Sequence, residues 1–331
     1  MPKKQRPKNN TARFIFLAIG SVVVLVLVGV VTNWQWHWLG GEPAYETPAV
    51  NPDYQPPDTV AVLHVNLREV QDSKYVSKEF QSLLSLVYQN LPTAEMRQHL
   101  GVDLREDVDW VRLAVTASDG ANPLVILSGR FDPAKFKPTK DGPLRQVNRP
   151  GDRHRLYELP APKLEMTFTL APAGDLLLMC GKPAPVTDAL RHAGEAPPPL
   201  EDAKLAELLT KVDRSRSIWG AASLKKWKPA PLNVFLVGAA VKTVIDNTEG
   251  VYGGVTCGDA VEGTVYFLTA AGGKAAEVEQ ALDRLCALAK GFGLVVLPDW
   301  RGAVVKIVGA GEVKRNGDTV VLRCRLPPPP K

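Results

Sequence analysis

Apolar residues run without interruption from Phe14 to Val31, and from residue 58 onward they break into short alternating stretches separated by helical stripes. The first pattern has the length of a membrane crossing. At ~1.5 Å of rise per helical residue it covers about 27 Å, against a hydrocarbon core of about 30 Å. A secretory signal has a shorter apolar core followed by small residues at its cleavage point. Here the run closes on Val30, Val31, Thr32, Asn33 and Trp34, so an uncleaved transmembrane anchor over 14–32 is expected. Lys3, Lys4, Arg6, Lys8 and Arg13 precede it with no acid in the tail 1–13, and no Lys or Arg occurs between Asn33 and Leu67. Positive flanks stay in the cytoplasm. The expected topology is therefore a single pass, with the N-terminus cytoplasmic, the bulk of the chain on the far side and Trp34, Trp36 and Trp38 at the outer interface.

From Gly40 to Pro57 the chain reads GGEPAYETPAVNPDYQPP, without apolar periodicity, which predicts an extended Trp/Pro-rich tether over 33–57. The patterned remainder predicts an α+β fold in two similar units, 58–194 and 195–326, closed by a polyproline tail at 327–331. In the first unit, alternation marks a strand from Val60 to Leu67, and Val76, Phe80, Leu83, Leu84, Val87 and Leu91 fall at helical spacing. Strands at Asp109–Ala117 and Leu124–Phe131 follow, separated by a turn with Asp119-Gly120. Weaker strands lie at Leu144–Asn148 and Arg155–Leu159. A hairpin at Met166–Leu170 and Leu176–Cys180 leads into a short helix ending near His192. The second unit opens on a helix with Leu205, Leu208, Leu209 and Val212 in one stripe and repeats the order. It has a strand Ile218–Leu224, a helix Leu232–Ile245, strands Val251–Cys257 and Val261–Ala270, a helix Lys274–Lys290 capped by Gly291, and strands Val304–Val313 and Thr319–Arg325 joined through Asn316-Gly317. Each unit reads as a split βαβ arrangement, an antiparallel sheet with helices on one face, an internal duplication whose units share one continuous sheet or form two.

Four segments carry a resemblance: DTVAVLHVNLREVQDSKYV, GVDLREDVDWVRLAV, PLVILSGRFDPAKF and GGVTCGDAVEGTVYFLTA. They resemble a group of single-anchor envelope proteins of planctomycete-type bacteria, and the resemblance extends over most of 58–326. It implies a bacterial location, the single pass lying in the inner membrane and the bulk of the chain facing the periplasm, and carries no activity or site residue.

Charge changes the picture only by removing a class. The chain has 40 Lys+Arg and 35 Asp+Glu. Without the five basic residues of the tail, the exported part is neutral, 35 against 35, which argues against a nucleic-acid partner. The chemistry-bearing residues form no motif. His37 lies in the membrane flank, and His64, His99, His154 and His192 have no metal spacing; neither H-E-x-x-H nor G-x-S-x-G occurs. Gly272-Gly273-Lys274 lacks the first glycine and the hydroxyl residue of a phosphate loop, and Gly309-Ala310-Gly311 reads as a bend in a strand. Asp103, Glu106, Asp107 and Asp109 lack calcium-loop spacing and read as a solvated turn. Cys180, Cys257, Cys286 and Cys324 read as small buried hydrophobes, with three disulfide pairings open to them. No cofactor, metal or catalytic residue is called for.

The strand faces opposite the apolar ones hold the remaining candidates. His64, Asn66, Trp110, Arg112, Thr116, Ser128 and Arg130 share a parity in the first unit. Ser217, Trp219, Tyr252, Thr256, Glu262, Thr264, Tyr266 and Arg323 do so in the second. Such rows are expected to face water. His64, Trp110, Arg112, Arg130, Trp219, Tyr252 and Tyr266 are the residue types that anchor recognition, and they define a possible binding face for an envelope protein, a glycan or a lipid. The leading functional expectation is a non-enzymatic, membrane-anchored periplasmic module for envelope organisation or accessory binding. The alternatives are a carrier of an apolar ligand such as a lipid, and an enzyme with a site assembled from scattered residues, for which His64 and Asp109 are the pair to inspect.

Overall fold

The computed structural model describes residues 48–73, 93–120, 122–136, 138, 142–147, 154–161, 166–226, 238–270, 273–292 and 309–326. The expected anchor with its basic tail and tryptophans, the helix spanning Val76 to Leu91 and the polyproline tail lie outside them. No helix among the described residues is long and apolar enough to cross a membrane.

Twelve strands form one antiparallel sheet rather than two. They are β1 (Thr59–Asn66), β2 (Val108–Thr116), β3 (Leu124–Gly129), β4 (Arg145–Gln146), β5 (Tyr157–Ala161), β6 (Met166–Ala173), β7 (Leu176–Cys180), β8 (Ile218–Ser223), β9 (Thr248–Cys257), β10 (Val261–Thr269), β11 (Gly311–Asn316) and β12 (Thr319–Leu326). Their spatial order is β11-β12-β10-β9-β8-β1-β2-β3-β7-β6-β5-β4. The join between the two sequence halves is the β1–β8 pair, in which Ala61, Leu63 and His64 face Ala222, Gly220 and Trp219. Small residues make that join close: a Cβ on Gly220 would sit 2.8 Å from the carbonyl oxygen of Val62. One strand further on, a Cβ on Gly253 would meet the Thr264 carbonyl oxygen at 2.2 Å.

Six helices are described: α1 (Leu67–Asp72), α2 (Thr93–Leu100), α3 (Pro183–Arg191), α4 (Ala203–Lys211), α5 (Gly238–Asn247) and α6 (Lys274–Phe292). β1 turns directly into α1 because Asn66 caps it, accepting from the Glu69 N–H at 3.2 Å while its amide donates to the Glu69 carboxylate at 2.8 Å. Helices cover both faces of the sheet, not one as the alternation predicts. On the first face, Leu67, Val70, Met96 and Leu100 of α1 and α2 pack with Leu63, Leu113 and Leu127, and α5 and α6 bury Val251, Phe267 and Val320. On the second face, Val186, Ala189 and Leu190 of α3 lie on Ile126 and Leu178, and Leu205 and Leu208 of α4 lie on Val62 and Ala221. The strands β3, β6 and β7 are accordingly buried at every position, as near-continuous apolar runs require.

Three further expectations need correction. The Pro-rich stretch is not a free tether from Pro48 onward: Val50 and Tyr54 are buried against the second face, and the Tyr54 hydroxyl donates to Asp188 at 2.6 Å. Gly291 lies within α6, which continues to Phe292, and is not its cap. The last hairpin begins at Gly311 with Gly309 still helical. Its tight turn follows the Asn-Gly signal, Gly317 having φ +59°.

Two glycine substitutions separate crowding from propensity. Gly253→Ala forces a methyl into a neighbouring backbone and is expected to cost about 1–3 kcal/mol. Gly291→Ala meets nothing within 4 Å and is expected to stabilise α6 by about 0.5–1 kcal/mol. Urea midpoints of the two variants should therefore move in opposite directions.

Candidate functional site

Register across three adjacent strands places His64 of β1 beside Arg112 of β2 and Trp219 of β8, with Trp110 one row away. The His64 ring stacks on Trp219, with centroids 4.9 Å apart and an interplanar angle of 14°, and tilts against Trp110 at 5.1 Å. The Arg112 guanidinium lies 5.2 Å from both indole centroids, and that of Arg214 lies 5.4 Å from Trp219. Arg112 is only 6 % exposed and Trp219 only 2 %, while His64 and Trp110 stay half-buried, so this part of the face is largely covered rather than wet. The cover is the segment around Asp53. Arg112 donates to the Asp53 carboxylate at 2.6 Å and to the Pro52 carbonyl, which straps residues 48–57 onto the sheet.

The electrostatics follow from that enclosure. Burial first, then the positive Arg112 and Arg214, lowers the His64 imidazole to about 4, against a smaller opposing effect of Asp53. His64 is therefore neutral near pH 7, and its Nδ1 has no hydrogen-bond partner. Burial also pushes the Arg112 pKa down, while Asp53 holds the guanidinium charged.

The other expected face residues divide. Tyr252 and Tyr266 are cross-strand neighbours and stack at 4.7 Å with 8° between planes. They lie on the same face as Trp219, one row along, and both remain half-buried. Around them Thr264 is half-buried, and Thr256, Glu262 and Arg323 are exposed. Arg130 is not part of the group: it is exposed and donates to the Glu106 carbonyl at 2.6 Å in the loop before β2. His64 and Asp109 do not meet. Trp110 turns toward His64, so Asp109, next along the strand, points to the opposite face, where it pairs with Arg68 of α1.

The acidic loop is internally satisfied. Asp103 accepts from the Arg105 N–H at 2.9 Å and pairs with Arg97, and Asp107 accepts from the Asp103 N–H at 2.8 Å. The four cysteines are unpaired, and burial raises the thiols of Cys180 and Cys286 to about 11 and that of Cys257 to about 12. They are poor nucleophiles in that state.

The feature the sequence reading did not reach is a cleft of about 510 Å³ beside the cluster, between α4, the Pro197-Pro198 turn and the strap. Leu200, Leu209 and Val212 supply apolar wall, and Asp53, Gln55, Thr210 and Arg214 supply its polar groups. Gln55 is 7 % exposed, and its Oε1 has no hydrogen-bond donor.

This geometry defines the protein as an α+β chain built on one antiparallel sheet. No family model matches it, and no curated protein matches it. Two solved structures of TP0453 are similar: crystal form I at TM-score 0.45 and crystal form III at 0.46, each 8 % identical and covering 83 % of this chain, with 94 % and 92 % of their own chains covered.

Two outcomes test the cluster. Arg112→Leu releases the strap, so it is expected to cost about 2 kcal/mol or more and to open residues 48–57 to limited proteolysis. For His64, the folded pKa lies below the unfolded value. Between about pH 6.5 and 4 the unfolded chain takes up a proton that the folded chain refuses. Stability is then full above pH 6.5 and falls as pH drops toward 4. His64→Gln should flatten that slope in thermal melts recorded across the window.

Proposed function

We propose that the chain is a membrane-anchored, non-enzymatic binding module of the bacterial envelope, an accessory subunit that meets a protein partner through the face carrying Tyr252 and Tyr266. The anchor and periplasmic location rest on the apolar run and its charge asymmetry. The observation that carries the binding reading is the stacked tyrosine pair, left half-buried on a part of the sheet where the opposite face is closed by α5 and α6. Tyrosines next to an arginine, here Arg323 one strand away, are the residue types from which protein interfaces draw most of their energy. The absence of a pairing between His64 and Asp109 removes support for the scattered-site enzyme.

The strand order supports an internal duplication. On one side of the join it runs β1-β2-β3-β7-β6, and on the other β8-β9-β10-β12-β11. The two series have the same hairpin and crossover sequence, with β5 and β4 added to the first. Under this reading the second copy retained an open face while the first was sealed by α3 and the strap.

A photoreactive amino acid at position 266 of the full chain, produced in its bacterium, is expected to yield one discrete envelope-protein adduct, and the same probe at Glu279 on α6 none. Tyr252→Ala with Tyr266→Ala should abolish the co-purification of that protein in a variant that still folds, its stability lowered by the stack's about 0.5–1.5 kcal/mol together with the half-buried ring area lost, as thermal melts would show. No discrete adduct from 266, or equal adducts from both positions, would sink the proposal.

The cleft favours a second reading, a carrier of an apolar ligand. Its volume lies within the range of small-molecule sites, roughly 300–1,000 Å³, and it is an open cleft in which Leu200, Leu209 and Val212 adjoin the polar Asp53, Gln55, Thr210 and Arg214.

A further inference from the structure

We infer that the cleft beside α4 binds a single-chain amphiphile with an anionic head, carboxylate or phosphate, the head on Arg214 and the chain along Pro198, Leu200 and Leu209. The inference rests on the carrier reading and adds the charge and orientation of the ligand.

Three observations carry it. The first is the charge balance at the polar end. Asp53 is shared by two guanidinium groups, Arg112 at 2.6 Å and Arg214 at 3.4 Å. One carboxylate facing two cations leaves a surplus positive charge, and the shorter bond assigns the carboxylate to Arg112. The second is where the surplus resides. Arg112 is enclosed, whereas the Arg214 side chain is 48 % exposed and lines the cleft. Its neighbours Lys211 and Arg216 do not share this position, because neither lines the cleft; Lys211 pairs with Glu207, which it shares with Lys204, and Arg216 pairs with Asp213. Trp219 under the Arg214 guanidinium holds it in place from below without neutralising it. The third is the composition of the remainder. Pro197 and Pro198 are rigid, Leu200 and Leu209 are aliphatic, and no aromatic side chain lines the cleft for a sugar ring to stack on. The polar end is thus defined by the neighbouring Asp53, Gln55 and Arg214 and the apolar wall by others.

A flexible aliphatic chain is accommodated by such a wall, and a charged head is drawn to an arginine whose fork of donors matches carboxylate and phosphate oxygens. A cationic amphiphile would place like charge on Arg214, and an uncharged one would leave the arginine without a new partner.

The test uses the full chain in native membranes and a diazirine-bearing dodecanoate as photoprobe, with labelled peptides mapped by mass spectrometry. Label is expected on the peptides between Pro197 and Arg214. Dodecanoate or dodecyl phosphate should displace it at concentrations at least tenfold lower than dodecanol, and the order of the two anions tells which head the site prefers. Arg214→Gln should bring the anions and dodecanol to within about threefold. Ala206→Trp, which fills the cleft, should abolish labelling; Thr210→Trp, at an exposed position of the same helix, provides the same test if the first variant does not fold. Labelling there with dodecanol as good a competitor as dodecanoate would leave the carrier reading standing and overturn the anionic head. Labelling confined to other peptides, or unchanged in both filled variants, would overturn both.

Discussion

The antiparallel pairing of β1 with β8 is the constraint on which the rest of the structure depends. Residues 61–65 meet residues 218–222 across a sequence gap that contains the six strands β2 to β7 and the four helices α1 to α4. Without that ladder there are two sheets with two exposed edges in place of one sheet. With it, His64 is brought between Arg112 on one neighbour and Trp219 on the other, and the cluster is a direct product of register. The outer ends are managed differently. β4 has only two residues, and β11 presents exposed Glu312, Lys314 and Arg315, both of which discourage a further strand from adding.

Arg112 then decides what lies on the join. A buried guanidinium loses its hydration, and recovery comes from the Asp53 carboxylate, the Pro52 carbonyl and the faces of two indoles. That set of partners is what brings the strap down, and the strap in turn encloses the cluster. Burial first, and the same positive charge second, keep His64 neutral. Strap, charge state and aromatic stacking are thus one coupled arrangement, so the effect of changing any one member includes the others. The cleft inherits from it the unequal sharing of Asp53 that leaves Arg214 with an unmet demand for an anion.

Most strands were legible in the sequence because they are local: period-two alternation places β1, β2 and β10 within a residue or two, and the Asn316-Gly317 signal does so for β12, though not for β11, which begins at Gly311 rather than Val304. The parity of His64, Trp110, Arg112, Trp219, Tyr252 and Tyr266 was legible for the same reason, and all six do lie on one face. What covers that face was not. The sealing depends on Tyr54, one aromatic residue in a Pro-rich stretch with no periodicity, whose partner Asp188 lies far along the chain. Alternation also suggested water on the second face, although the run Leu176-Leu177-Leu178-Met179-Cys180 carries apolar residues at every position and so already implied cover on both sides. The cleft was beyond reach, since Asp53, Pro198, Leu209 and Arg214 come from segments with no local relation. Arg130 shows the converse limit: its parity is right, but it sits just past the end of β3, where the side chain turns to the Glu106 carbonyl.

α4 links the two surfaces for which binding is proposed. Its inner side, Leu205 and Leu208, is fixed on Val62 and Ala221, and Asp202 caps its start by accepting from the Lys204 and Leu205 N–H groups. Ala206 and Thr210 border the cleft, while the Tyr252 ring packs against the Leu205 and Leu208 cluster and its hydroxyl, whose pKa is raised first by burial and then by Tyr266, feels smaller opposing effects of Lys211 and Glu207. A nine-residue helix has little stability of its own and takes its position from packing. Occupancy of the cleft that shifts α4 would therefore be felt at Tyr252 through Leu205 and Leu208. Tyr266, stacked on Tyr252 from the next strand, would register the change only through that ring. The two surfaces are separate in the residues that form them and joined in the one short helix that separates them.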